Sequence, residues 1–474
     1  MAVTDRRYDL VVLGSGPAGE KGAAQAAYFG KKVAIIEKQP VLGGACANTG
    51  TLPSKTLRES AIYLSGLRQR EIYGLKLSVH TEGLKVADFM IHKDFVVERE
   101  RERIGRNLER HHIDLWHGTA RLTGPHTVHV DSPGGGAMEL EAEVILIATG
   151  SRPHRPPNIP FEDIFVDDSD EVLEVDRIPR TFIVVGGGVI GSEYATVYAA
   201  LGTTKVTLIE GRDRILNFLD REIGDGLAAA MTRLGVDILV NDQVQKYERR
   251  ADGTGVRVTL KSGKVLEADR LLAAAGRAGN TEGLGLAEAG VNLDERGRIV
   301  VDANYQTSVP HIYAAGDVIG WPSLASTSME QGRVAICHAF GFTYKKSMAQ
   351  LFPYGLYTIP EVSMVGDTED DARKKGVDVE VGRAWYRDNA RGQIVNDQEG
   401  LLKLVFEAGS RKLLGVHILG ERATELVHVG QAVMTFGGTI DYFIDTVFNY
   451  PTLSEVYKYA AYDGLGRLAK RSAT

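Results

Sequence analysis

The amino-acid sequence predicts an α/β protein in which one strand–helix–strand unit occurs twice. Three observations carry this. Residues 8–13, apolar but for Asp9, and 182–185 are apolar runs, as parallel strands buried on both faces require. Each run enters a G-x-G-x-x-G turn, Gly14, Gly16 and Gly19 in the first and Gly186, Gly188 and Gly191 in the second. Each turn leads into a helical stretch and a second strand ending on an acid, Glu37 or Glu210, 23 and 24 residues beyond the first glycine. Such glycines permit a tight turn and let backbone N–H groups at a helix N-terminus approach a pyrophosphate, while the acid accepts hydrogen bonds from a ribose. A glycine-rich turn alone often has no ligand. Strand, helix, strand and acid together predict two Rossmann-like dinucleotide-binding domains.

The bulk composition sets the outer limits. A chain of 474 residues has room for roughly three domains with sizeable cores. The 55 basic and 62 acidic residues leave a net charge of −7 with no long basic run, which argues against nucleic acid or an anionic membrane as the main partner. No apolar run approaches the roughly 20 residues of a membrane span. Two cysteines, Cys46 and Cys337, cannot form a disulfide framework, so a cytoplasmic protein is expected.

Further elements follow along the chain. The stretch 93–112, "KDFVVERERERIGRNLERHH", reads as a long exposed helix with opposite-sign pairs, and His111-His112 has no convincing metal spacing, so no metal is expected. "DSPGGGAMEL" reads as a hairpin turn. Residues 144–153 and 271–280 are apolar strands that run into glycine-rich turns and close the two nucleotide units. "HIYAAGDVIG" (311–320) is another strand, ending at Gly316-Asp317; a carboxylate there is a turn former or a ligand of a ribitol hydroxyl. From Ser323 a Ser/Thr-rich start precedes a helical run, in which Cys337 is most simply a core residue. The final "KRSAT" is expected to fray.

In their order along the chain, Gly14–Gly19, Glu37, the loop "GGACANTGTLPSK" (43–55), the second unit at 186–210 and Gly316-Asp317 resemble the two-dinucleotide-binding flavoproteins, which include glutathione reductase and dihydrolipoamide dehydrogenase. The resemblance implies FAD in the first unit, a pyridine nucleotide in the second and an α+β C-terminal dimerisation domain. On that pattern the FAD domain spans 1–155 and 276–345, the NAD(P) domain 156–275 and the dimerisation domain 346–474. The FAD-binding set implied is Gly14, Gly16, Pro17, Gly19, Glu37, Lys38, Gly44, Cys46, Thr51, Lys55, Thr149, Gly150, Asp317, Leu324 and Ala325. The NAD(P)-binding set is Gly186, Gly188, Val189, Ile190, Gly191, Glu193, Glu210, Arg212 and Gly276. Lys55 matches the family lysine beside flavin N5, paired there with the glutamate that is Glu193 here, and these two are the implied catalytic residues. A buried lysine without a partner would be costly, so the presence of both supports a real pair. The helix behind Ser323 would point its N-terminus at flavin O2 and N1.

Two residues depart from the family's disulfide chemistry. Its loop reads G-G-x-C-x-N-x-G-C-x-P-S-K; here Cys46 holds the first cysteine position and Thr51 the second. Its C-terminal H-P-T-x-x-E, which supplies an acid/base to the partner subunit, reads "YPTLSE", with Tyr450 in place of the histidine and Glu455 kept. A dithiol needs two sulfurs, and a tyrosine with a pKa near ~10 is a poor proton shuttle at neutral pH. Both losses remove the same half-reaction. Cys46 is then a small side chain beside the flavin or a lone reactive thiol, the first being the simpler reading.

Electrons entering the flavin must therefore leave by a small molecule. A second nicotinamide is the simplest acceptor, because donor and acceptor rings are alike and each ~30 mV of mismatch costs only about 1.4 kcal/mol for two electrons. Within the family, "CANTGTLPSKTLRESAIYL", "DVIGWPSLASTSMEQGR", "GERATELVHVGQAVM" and "FNYPTLSE" resemble the bacterial soluble, FAD-dependent (Si-specific) pyridine nucleotide transhydrogenases. That implies hydride transfer between NADPH and NAD⁺ in a homodimer or higher homo-oligomer, with NAD(H) and NADP(H) as substrates. Glu210 is the signature for NAD and would repel a 2′-phosphate by about 4 kcal/mol per charge pair roughly 4 Å apart at an effective dielectric of about 20. Arg212 and Arg214 follow at once and either grip that phosphate or are solvated loop charges. The alternatives are an NAD(P)H diaphorase or oxidase passing electrons to quinone or oxygen, and a non-enzymatic nucleotide sensor. The Lys55 and Glu193 positions argue against the sensor, which has no need to tune flavin N5.

Overall fold

Leu10 to Leu13 are buried on both faces of their strand because they feed two separate cores: Leu10 and Val12 join one, Val11 and Leu13 the other. That pattern recurs at the start of the second fold, where Phe182 and Val184 face one core and Ile183 the other. The computed structural model describes residues 6–66 and 85–472. The chain divides into two units, one made of Met1–Thr56, Ile91–His154 and Gly276–Ala349, the other of Leu57–Met90, Arg155–Ala275 and Gln350–Thr474.

The first unit holds a parallel sheet ordered Asp114–His117, Val33–Glu37, Arg7–Leu13 and Ala137–Ile147, with Ile312–Ala314 pairing parallel along the C-terminal half of the last strand. The N-terminal half of that long strand pairs antiparallel with Thr127–Asp131 across the glycine-rich 132–136 turn, which is the expected hairpin. Two helices, Pro17–Tyr28 and Ala325–Ala339, pack through small residues. A Cβ on Gly332 would overlap the Ala18 carbonyl oxygen, and one on Gly22 would lie 2.6 Å from Leu146.

The charge-rich helix runs Val86–Arg110. Its opposite-sign pairs form as the sequence suggests, Arg101–Glu98 and Arg103–Glu100 at i,i+3 and Arg106–Glu102 at i,i+4. It is not exposed all round: Ile104 and Leu108 are buried in the core beside Leu10, and Arg103 and Asn107 both reach the buried Glu20. The charges draw the eye, but the apolar residues between them recur on one helical face and take the core.

The second unit repeats the parallel order: Val236–Leu239, Lys205–Ile209, Thr181–Val185, Arg270–Ala273, Val166–Asp167. Its C-terminal part is an antiparallel sheet ordered Tyr354–Leu356, Val362–Gly366, Leu413–Leu419, Leu401–Glu407, Val379–Trp385. The helices Ala423–Thr435 and Val456–Ser472 cover it, burying Val427, Tyr457, Ala460 and Ala461 against Leu404, Phe406 and Val416. The last helix continues through Ser472 where fraying was expected, because Arg471 bonds Asp378 at 2.7 Å and the Val379 carbonyl at 3.3 Å. Lys403, in the middle of an apolar strand, is fully buried on three carboxylates: Asp220 at 3.0 Å, Glu369 at 2.8 Å and Glu222 at 3.3 Å. Asp220 is also the N-cap of the helix Arg221–Leu234, so this ion cluster ties the C-terminal sheet to the second nucleotide fold.

Candidate functional site

The first glycine turn is shaped by close approach. Gly14 has φ +103°, and a Cβ on it would lie 2.5 Å from the Ala148 oxygen. A Cβ on Gly19 would overlap the Gly14 carbonyl oxygen, so the helix Pro17–Tyr28 can pack on the strand only with glycine there. Gly16 is its N-cap, no side chain caps it, and Pro17 has no N–H to lose. Glu37 is buried. Its Oε2 accepts from the Ser15 amide at 2.9 Å and the Ser15 hydroxyl at 2.6 Å, and its Oε1 from the Gln39 amide at 2.8 Å. The same Ser15 hydroxyl accepts from Gly43 at 2.9 Å, which brings Gly44 against Gly16. Lys38, next to Glu37, is exposed.

The loop at 43–55 folds into a short helix, Gly44–Asn48, and the start of Thr51–Ser65. Cys46 is half-buried, and the Thr51 hydroxyl lies within hydrogen-bonding reach of its sulfur. Burial pushes the Cys46 thiol up; the Thr51 hydrogen bond and Lys55 oppose this, Glu100 and Asp317 add to it, and the net is raised above 9.0. At neutral pH it is therefore a thiol and not a thiolate. Lys55 sits one turn into its helix with Nζ 3.3 Å from the Ser54 hydroxyl.

Asp317 follows Gly316, whose φ is +83°. Its carboxylate is aimed by the Ser151 hydroxyl at 2.6 Å, which in turn accepts from Arg277 at 2.9 Å. Thr149 and Gly150 are clasped by Asn280, which donates to the Thr149 carbonyl at 2.9 Å and whose carbonyl accepts from the Thr149 hydroxyl at 2.7 Å. Ala325 opens its helix with Leu324 as N-cap and no side-chain cap. The first unit thus gathers Gly14–Gly19, Glu37, Gly44, Cys46, Thr51, Thr149, Gly150, Asp317 and Ala325 around two uncapped helix N-termini. These residues fit FAD: free N–H donors for a pyrophosphate, a buried carboxylate for the ribose and a second one for the ribitol chain. Gly276, with φ +92°, accepts from the His154 amide at 2.9 Å.

The second turn copies the first. Gly186 has φ +110° and would meet the Ala274 oxygen at 2.6 Å, while a Cβ on Gly191 would overlap the Gly186 oxygen. Gly188 is the uncapped N-cap of Val189–Ala200, and a Cβ on it would meet no protein atom within 4 Å, so the space before Val189 and Ile190 is open to a ligand. Glu193 is buried, and its Oε1 accepts from the Tyr357 amide at 2.9 Å. Glu210 accepts from the Gly187 amide at 2.8 Å and from the Arg212 amide at 2.9 Å, and the Arg212 guanidinium lies across both its oxygens at 3.0 and 3.1 Å. Burial raises the Glu210 carboxyl, but Arg212 outweighs it and holds the group below its ordinary range. In the C-terminal region Tyr450 is 75% exposed and Glu455 half-buried.

Ser15, Gln39, Ser151, Arg277, Asn280, Tyr357 and Asn217, whose Oδ1 accepts from Arg212 Nη1 at 3.2 Å, hold the predicted residues in place and were missed by the sequence reading. Ser15 alone had a signal, as the first x of G-x-G. The others come from 126 or more residues away, or, like Gln39 and Asn217, from loops with no pattern.

Comparison with known proteins agrees with this geometry. The family described as pyridine nucleotide-disulphide oxidoreductase matches residues 8–332, and its dimerisation domain matches 352–461. A soluble pyridine nucleotide transhydrogenase of Mycobacterium tuberculosis is 47% identical, with 98% of each chain covered. One from Escherichia coli is 42% identical over 97% of this chain and 98% of its own length. Among solved structures, the HOCl-induced flavoprotein disulfide reductase RclA from Escherichia coli superposes with a TM-score of 0.86 at 29% identity, over 96% of this chain and 99% of that one. LpdA from Mycobacterium tuberculosis gives 0.87 at 27% identity, with the same coverage. No described helix is long and apolar enough to cross a membrane. With two glycine-turn folds in series and a matching C-terminal region, the chain belongs to the pyridine nucleotide-disulphide oxidoreductase family.

Proposed function

We propose that the chain is a soluble, cytoplasmic, Si-specific pyridine nucleotide transhydrogenase that moves a hydride between NADPH and NAD⁺ through bound FAD and without a redox disulfide. The observation that carries it is the pair Cys46 and Thr51: a hydroxyl stands beside the only sulfur of the loop, while Glu37 and Asp317 are held as carboxylates that would suit a flavin nucleotide. The relatives named as transhydrogenases, matched over nearly the whole chain, support it. When bound, FAD supplies a two-electron store that a nicotinamide can fill or empty.

The chain's own residues do the rest. Glu37, steadied by Ser15 and Gln39, would hold the adenosine ribose of FAD, and the N-terminus of Pro17–Tyr28 its pyrophosphate. Asp317, aimed by Ser151, would hold the ribitol chain, and the uncapped N–H groups opening Ala325–Ala339 would favour a negatively charged, reduced flavin. Lys55 and Glu193 are the residues that would tune the flavin for hydride transfer. Cys46 keeps its proton and fills space. Gly186–Gly191, with Glu210 and Arg212, receives each nicotinamide nucleotide in turn. The domain division follows the family pattern, with 1–155 and 276–345 on FAD, 156–275 on NAD(P) and 346–474 pairing two or more copies of the chain.

Anaerobic titration should consume one two-electron equivalent of NADPH per subunit, where a dithiol enzyme takes two. Reduced enzyme freed of nucleotide should convert stoichiometric NAD⁺ to NADH in a single turnover, with parallel double-reciprocal lines in the steady state. Uptake of two equivalents, or reduced enzyme that serves quinone or oxygen but yields no NADH, would overturn the proposal.

A further inference from the structure

The two strand-end carboxylates occupy the same place in their folds and are partnered differently. Among the described residues, Glu37 is held by uncharged donors, Ser15 and Gln39. Glu210 carries four donors, the Gly187 amide, the Arg212 amide and the Arg212 Nε and Nη2, which fill the four lone-pair sites of a carboxylate. Neither nucleotide can reach Glu210 without moving Arg212. The ribose hydroxyls of NAD(H) must replace a guanidinium N–H, and the 2′-phosphate of NADP(H) must draw the guanidinium away. The two backbone donors stay behind, so Glu210 is never left bare.

Arg212 is also tethered on its outer side. Its Nη1 donates to Asn217 Oδ1 at 3.2 Å, and Arg214 Nη2 donates to the Asn217 carbonyl at 2.6 Å. Asn217 therefore gathers both arginines. Its loop is pinned to the glycine turn itself, because the buried Leu216 donates its amide to the Gly187 carbonyl at 2.9 Å. Arg212 is half-exposed, so the guanidinium can swing between Glu210 and a ligand without crossing the core.

We propose that Glu210 and Arg212 form a self-neutralising pair that levels the affinities for NAD(H) and NADP(H), and that Asn217 is the positioning residue that keeps Arg212 within reach of a 2′-phosphate. An enzyme confined to NAD(H) needs only the carboxylate; one confined to NADP(H) needs only arginines. A site that alternates between them needs neither to dominate. This rests on the reading of the second fold as the site where both nucleotides alternate.

The test measures dissociation constants of NADP⁺ and NAD⁺ by calorimetry on oxidised holoenzyme, with FAD content as the check on folding. Glu210→Gln releases Arg212, so NADP⁺ should bind about tenfold tighter and NAD⁺ weaker, on the scale of a hydrogen bond to a charged group. Asn217→Asp differs by one atom type on an exposed side chain and captures Arg212. It should weaken NADP⁺ about tenfold while NAD⁺ holds or tightens. Asn217→Ala should weaken NADP⁺ alone, by about threefold, as for an ordinary exposed hydrogen bond. The affinity ratio must move in opposite directions in Glu210→Gln and Asn217→Asp. Movement in the same direction, or equal effects on both nucleotides, overturns the proposal. Failure of the transhydrogenase reading would show separately, as absence of NADH from the single turnover in the wild-type enzyme.

Discussion

Thr51 is the most informative single residue in the chain. It holds the loop position of the family's second sulfur, so Thr51→Cys should install a dithiol with Cys46 and raise anaerobic NADPH uptake from one equivalent per subunit to two. An unchanged uptake would show that the two positions are not close enough to bridge. Cys46→Ser should leave transhydrogenation within about threefold, since a protonated, half-buried thiol contributes packing more than chemistry; a loss of about 10³ would make the thiol a redox participant. Both substitutions could be planned from the sequence, because the loop is contiguous and its pattern is dense. The partners of the functional groups could not. Ser151 reaches Asp317 across 166 positions and Asn280 reaches Thr149 across 131, and no local pattern encodes which polar side chain the fold will bring alongside another.

Elements were legible in proportion to how local their cause is. The strands before each glycine turn and the turns themselves follow from short apolar runs and positive-φ glycines, and they fall where the residues say. The helix Val86–Arg110 shows the limit: its charges advertise solvent, while Ile104 and Leu108 enter the core. The strand Leu401–Glu407 shows it more sharply, since a lone lysine in an apolar run gives no hint of the three carboxylates waiting for it. Removing that lysine leaves buried carboxylates uncompensated, so Lys403→Met should cost about 3–5 kcal/mol in urea unfolding of the holoenzyme. The cluster also dictates a pH window. Burial raises the Asp220 and Glu369 carboxyls, but the facing groups, His417 and then Lys403 on Asp220 and Lys403 and Arg373 on Glu369, hold both below their ordinary values of 3.8 and 4.5. Their stabilisation is present above those values and lost as pH falls through the lower folded ones. Burial lowers and the carboxylates raise Lys403, net above 10.5, so its share persists up to that pH and is lost beyond it. Wild-type stability should exceed that of Lys403→Met by a constant margin between about pH 7 and 10, narrowing above it and, as His417 and then the carboxylates gain protons, below it. A margin that does not narrow in acid would remove the cluster as its source.

At the scale of the whole molecule, the duplication was visible in the sequence because both copies keep glycines and acid in register, while the order of the strands in each sheet came only from the structure. The C-terminal sheet was legible only as the α+β domain that the family resemblance implies; three of its four pairings join consecutive strands, but the one that seats Val362–Gly366 against Leu413–Leu419 skips two strands and has no local signal. The molecule has two thiols: Cys337 in the core and Cys46 beside a hydroxyl. Trivalent arsenicals poison dithiol enzymes by bridging two neighbouring sulfurs, and here there is no second sulfur to bridge. Phenylarsine oxide added to the NADPH-reduced enzyme should leave the rate within about twofold, and iodoacetamide should label Cys46 slowly at pH 7 and faster as the pH climbs past 9.0, where its thiol begins to ionise. Stoichiometric arsenical inactivation would contradict this. The exchange of one sulfur for an oxygen thus sets this catalyst apart toxicologically: it should keep moving reducing equivalents between its two nucleotide pools under arsenite stress that silences its dithiol cousins.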